Sequence, residues 1–104
     1  MRRRTKSKAY AHHIMHRPIH KVSVTARFER SFAKLPHSVQ ELSEIKEGWF
    51  RLNAFDPRLK THSLKGKLKG LWSYSINRDY RILFEFLGST EVLYHDIGTH
   101  DVYR

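Results

Sequence analysis

Between Leu71 and Ile97 the chain alternates apolar and polar residues in three short runs, and no other feature constrains its fold as much. Trp72, Tyr74 and Ile76 alternate with Ser73, Ser75 and Asn77. Tyr80, Ile82, Phe84 and Phe86 then alternate with Arg81, Leu83 and Glu85, and Val92 to Ile97 forms the third run. A period of two belongs to strands that bury one face. Asn77-Arg78-Asp79 and Gly88-Ser89 are turn sequences, so the three runs fold back on one another as a meander.

A fourth run lies upstream. Val22-Ser23-Val24-Thr25-Ala26-Arg27-Phe28 alternates in the same way and reads as a half-buried strand. Glu29 to Leu35 reads as a short helix stopped by Pro36. Ser38, with Glu41 three residues on, forms a capping-box pattern. Val39, Leu42, Ile45, Trp49 and Leu52 then recur at helical spacing as far as about Ala54. Asp56-Pro57 opens a lysine-rich loop. The expected order is β-α-α-β-β-β: a helical hairpin on one face of a mainly antiparallel four-stranded sheet, an α+β fold in one domain.

Composition limits what this domain does. The chain has 104 residues and no cysteine, which excludes disulfides and thiolate metal sites. No apolar run approaches the roughly 18 residues of a membrane span, and no signal-peptide core follows the N-terminus, so a cytoplasmic location is expected. The formal net charge is +10, and residues 1–21 carry seven bases without an acid. Such a field attracts polyphosphates or acidic proteins. Residues 1–21 lack periodicity, contain Pro18 and read as a basic mobile arm ahead of a domain at 22–104, with Met15 as an alternative start. His12, His13, His16 and His20 include i,i+4 pairs, but Pro18 interrupts any helix there and no carboxylate is near, so no metal site and no cofactor are expected.

Nucleotide-binding glycine loops, zinc motifs and nucleophile elbows are missing from the sequence. What the alternation does supply is a polar set on the sheet face away from the helices. Arg81 points there, with Ser73 and Ser75 on the neighbouring strand and Asp79 at the turn. His100 follows the last strand and Tyr103 lies three residues on; His62, Lys65, Lys67 and Lys69 enter from the preceding loop. His95, within the last strand, reads as structural.

Cleavage of RNA through the ribose 2′-hydroxyl needs a base, an acid and positive charge for the crowded phosphorane, and it needs no metal. Histidine fills either proton-transfer role, and arginine grips two phosphate oxygens. Lysines hold flanking phosphates, and aromatics stack on unpaired bases. Taken singly, each residue also fits an ordinary solvated side chain. Pattern alone reaches a small basic α+β domain that binds nucleic acid.

His62-Ser63-Leu64-Lys65-Gly66, Leu68 to Ile76 and Asp79 to Phe84 resemble the RelE/ParE toxin superfamily. His95-Asp96-Ile97-Gly98-Thr99-His100-Asp101-Val102-Tyr103-Arg104 resembles its YafQ-type branch, and Phe28 to Leu35 fits the way these toxins enter their first helix. The resemblance spans residues 22–104 and implies a RelE-like fold and a ribosome-dependent endoribonuclease that cuts mRNA, with ribosomal RNA contacts. It implies His62, Asp79 and His100 as the acidic and histidine members of the site and Tyr103 as its aromatic. It implies Arg81 as the clamp on the transition state; Lys65, Lys67, Lys69 and Arg78 are expected on RNA phosphates by their charge and position. An acidic antitoxin that wraps the helices and the basic face and folds as it binds is the implied protein partner. Ser75 stands where the YafQ-like pattern has a further histidine, and residues 1–21 have no counterpart in the usual short toxin. The same fold also hosts ParE-like toxins that poison DNA gyrase, and a non-catalytic antitoxin-bound module is a third reading.

Overall fold

Thr25 decides how the chain leaves its first strand. Its hydroxyl accepts from the Phe28 amide at 3.0 Å and donates to the His95 carbonyl at 2.8 Å. That N-cap ends strand β1, Lys21–Val24, and starts helix α1, Ala26–Ala33. The alternation through Phe28 therefore stops being a strand at Val24, because a satisfied cap outweighs the local period of two. The computed structural model describes residues 16–104.

Helix α2 runs from His37–Leu52. The expected cap at Ser38 is not used. Pro36 occupies the N-cap without a side-chain bond, and Glu41 pairs with His37 at 3.7 Å. Phe50 carries the buried stripe of this helix together with Val39 and Ser43. Ile45 and Leu52, expected in the core, are 56% and 74% exposed. At 3.6 residues per turn they fall roughly 120° and 140° round the helix from Val39, whereas Phe50 falls about 20° from it.

Three further strands complete the meander: β3, Trp72–Ser75; β4, Arg81–Phe86; and β5, Glu91–Gly98. A short fifth strand, β2, His62–Ser63, pairs with β3, so the sheet has five strands in place of the four expected. The order across the sheet is β1-β5-β4-β3-β2. β1 runs parallel to β5, and the other pairs are antiparallel. Both helices cover one face, as the α+β reading expected.

Aromatic packing joins the layers. The Phe50 ring stacks on Tyr74 at 4.4 Å between centroids and meets Phe84 edge-on at 5.0 Å. Tyr74 and Tyr94, both buried, share a hydrogen bond of 2.8 Å between their hydroxyls. Burial pushes both phenols well above the ordinary tyrosine range.

The domain begins earlier than Val22. Ile19 is 2% exposed, and its amide donates to the Arg51 carbonyl at 2.9 Å. The Arg17 guanidinium donates to the carbonyls of Gly88 and Ser89 and lies 3.8 Å over Phe86. Residues 17–21 thus belong to the packed body, held by contacts distant in sequence. His12, His13 and Met15 lie outside the described residues. Among those described, no helix is long and apolar enough to cross a membrane.

Candidate active site

Strand register puts the polar set where the alternation placed it. Ser75 pairs with Arg81, and Arg81 with Gly98, which forms one row across three strands. The next row runs His62, Ser73, Leu83, Asp96. Cross-strand partners share a face, so both rows lie on the side away from the helices.

The last residues fold back over this face as a 3-10 turn, His100–Tyr103. Gly98 permits the approach, because a Cβ there would stand 3.1 Å from a Val102 methyl. Tyr103 is thereby laid on the sheet. Its hydroxyl hydrogen-bonds the hydroxyl of Ser73 at 2.9 Å, and Ser73 is 1% exposed beneath it. Arg81 reaches the same hydroxyl with Nη1 at 3.5 Å and donates from Nη2 to the Arg78 carbonyl at 3.2 Å. The His100 ring meets Tyr103 edge-on, 6.0 Å between centroids.

Arg81 Nε is buried without a hydrogen-bond partner. A buried unsatisfied donor costs about 1–3 kcal/mol, more when charged, and such a group in a folded chain calls for an explanation. Nε is enclosed by the protein, so an anion in the neighbouring cleft would meet the rest of the guanidinium. Arg81 also lines an open cleft of ≈ 480 Å³ shared with Lys46, Arg58, Lys60, His62 and Arg78. Among the described residues that line it there is no carboxylate.

The cleft cations are built in differently. Asp56 caps the 3-10 turn Pro57–Leu59 and holds Arg58 through two contacts of 3.0 and 2.8 Å. The Arg58 side chain beside it keeps the Asp56 carboxyl below the ordinary carboxylate range. Arg58 and Lys46 both lie on the Trp49 ring, at 3.7 and 4.1 Å from its centroid. Lys60 has φ 54°, the left-handed region that non-glycine residues rarely adopt. Its carbonyl faces His62 Nδ1 at 2.9 Å. A carbonyl only accepts, so this contact places a proton on Nδ1.

Arg81, Tyr103 and His100 are thus brought together, and His62 and Arg78 join Arg81 round the cleft. Asp79 is not drawn in. It is exposed in the turn, where its amide donates to the Asn77 side chain at 2.9 Å. Lys65, Lys67 and Lys69 are exposed on the loop outside the cleft lining, without an ion-pair partner among the described residues. Sequence reasoning missed Lys46, Arg58 and Lys60 as site residues, and Ser73 as the anchor of Tyr103. The Asp56-Pro57-Arg58 turn and the i,i+3 spacing of Lys46 and Trp49 carried the only local signal for them.

Comparison with solved structures finds the same architecture. A YoeB/ParE toxin from Agrobacterium tumefaciens superposes with a TM-score of 0.67 at 19% identity, over 78% of this chain and 99% of that one. The toxin–antitoxin complex RelBE2 from Mycobacterium tuberculosis gives 0.65 at 21% identity, over 80% and 93%. This is the RelE/ParE toxin fold. The DinJ–YafQ toxin–antitoxin complex from E. coli gives 0.59 at 15% identity, over 78% and 92%. No family model and no curated protein matches the sequence. The likeness therefore establishes the fold.

Proposed function

We propose that this chain is the toxin of a toxin–antitoxin pair and acts as an endoribonuclease that cuts mRNA on the ribosome. The observation that carries the reading is Arg81: a guanidinium with no carboxylate partner, set between a cleft whose charged lining among the described residues is entirely basic and the Tyr103–His100 pair. An anion in the cleft meets this unpaired guanidinium, and a phosphodiester is the anion that also uses the flanking proton-transfer groups.

In this mechanism the ribose 2′-oxygen attacks phosphorus, the bond from phosphorus to the 5′-oxygen breaks, and a 2′,3′-cyclic phosphate is left. His62 and His100 lie toward opposite edges of the sheet from Arg81, on the β2 and β5 sides. One takes the proton from the 2′-hydroxyl and the other delivers a proton to the leaving oxygen. Arg81 clamps the two oxygens of the phosphorane, whose added charge strengthens the contact in the transition state. Tyr103, fixed by Ser73, holds Arg81 from one side. Lys46, Arg58, Lys60 and Arg78 hold the neighbouring phosphates, and Lys65, Lys67 and Lys69 extend the basic track.

The excess of positive charge also fits an acidic antitoxin as protein partner, bound to the same face. Induced expression in a bacterial host, with transcript 5′ ends mapped during arrest, tests the reading. Wild type is expected to produce new cuts within translated messages that vanish in Arg81→Ala and His100→Ala. Growth arrest with intact messages refutes it and points to another target, such as gyrase.

A further inference from the structure

A second pocket, of ≈ 240 Å³, lies on the other side of the His100–Tyr103 turn. Leu68, Leu71, Leu83 and Val102 make its apolar walls. Asp96, Arg27, His95, Thr25 and Arg104 make up its polar lining. We propose that this pocket holds one nucleobase of the bound RNA and selects bases with an amino-bearing edge over uracil. The inference rests on the RNA reading above and adds to it the determinant of sequence preference.

Position comes first. Leu83 sits in the row between Ser73 and Asp96. Neighbouring strands are about 4.8 Å apart, so the pocket floor adjoins the residue that anchors Tyr103. The turn supplies both sites, His100 and Tyr103 to one and Val102 and Arg104 to the other. A nucleotide next to the scissile phosphate therefore has its base within reach of this pocket.

Asp96 supplies the chemistry. It is 9% exposed; its Oδ1 accepts from the Ile97 amide at 2.9 Å. Oδ2 lies 3.4 Å from Arg27 Nε, an ion pair that lacks hydrogen-bond geometry. Oδ2 thus has no hydrogen bond among the described residues, and a carboxylate oxygen in that state in the pocket lining favours any ligand that donates to it. Leucine walls suit the flat faces of a base, and the base edge then meets Oδ2. Cytosine and adenine present an exocyclic amino group, and guanine presents an imino and an amino donor together. Uracil flanks its single N–H with two carbonyl oxygens, which the carboxylate repels. A good contact of this kind discriminates by about tenfold or more.

The test titrates the 15N-labelled full chain with the four nucleoside 5′-monophosphates and, separately, with inorganic phosphate. The amino-bearing nucleotides are expected to shift the amides of Leu83, Asp96, Ile97 and Val102, with affinities about tenfold above that of uridine monophosphate. Asp96→Asn keeps the acceptor for Ile97 and is expected to abolish the preference. Leu68→Trp, which fills the pocket from a half-buried wall, is expected to abolish the shifts in the pocket while phosphate still shifts Lys60, His62 and Arg81. Equal affinity for all four nucleotides, or shifts confined to the cleft, overturns the base pocket and leaves the anion-binding reading standing. Phosphate and nucleotides that shift no cleft residue overturn both.

Discussion

The Ser73–Tyr103 contact gives an asymmetric prediction. Ser73 is 1% exposed and loses its partner outright in Tyr103→Phe, leaving a buried hydroxyl with no acceptor or donor across the gap. Stranding such a group costs about 1–2 kcal/mol. Ser73→Ala removes the same bond but leaves the Tyr103 hydroxyl, which is only half-buried and finds water, so it costs about 0.5–1 kcal/mol. The double variant apposes two apolar groups and should be no less stable than Tyr103→Phe alone, a coupling of about 0.5–1.5 kcal/mol. Urea unfolding reads this directly. With m near ~1 kcal/mol/M for a chain of this size, Tyr103→Phe should lower the midpoint by about 1–2 M and Ser73→Ala by at most about 1 M. In cleavage assays Tyr103→Phe should lose more rate than Ser73→Ala, because the second variant keeps the hydroxyl beside Arg81. Equal midpoints for both single variants, or strictly additive effects in the double, would refute the claim that Ser73 is held under Tyr103 by this bond.

Other outcomes follow from the same geometry. Phe50→Ala should destabilise by about 3–5 kcal/mol, seen as a loss of most or all cooperative unfolding, because its ring stacks on Tyr74 and abuts Phe84. Lys60→Gly relieves a left-handed non-glycine residue and should raise the melting temperature while weakening RNA binding, whereas Lys60→Ala should weaken binding without the stability gain. Arg58→Gln should reduce the slope of log affinity against log salt by about one phosphate contact, with little change in which RNAs are bound. Burial raises the phenols of Tyr74 and Tyr94, so their share of stability is fully present below the ordinary tyrosine pKa of about 10 and is lost as pH rises above it. The double variant Tyr74→Phe, Tyr94→Phe should flatten that alkaline decline; an unchanged decline would assign it to other groups.

The meander and its inward and outward faces were legible because strand alternation is a local property, and register kept Arg81, Ser73 and Ser75 on the expected face. The helical hairpin was legible too, although spacing by threes drew Ile45 and Leu52 into a core that the true 3.6 period leaves to Phe50. The docking of Arg17 and Ile19 was not legible, since their partners lie at Asn53, Arg51 and the Gly88–Ser89 turn. For the site, the resemblance named Arg81, His62, His100 and Tyr103 but not the second cation wall. Lys46, Arg58 and Lys60 converge only after the end of α2 and the following turn fold beside β2 and β3. Asp79, suggested by motif, stays in its turn because Asn77 claims the local backbone donors.

The most direct test of the account is cleavage of an end-labelled mRNA on purified ribosomes by wild type and Arg81→Gln, with the product termini identified. The account predicts 5′-hydroxyl and 2′,3′-cyclic phosphate ends from wild type, and a rate for Arg81→Gln lower by about 10²-fold or more with ribosome binding retained. Equal rates for the two proteins, or products that lack a cyclic phosphate, would contradict it.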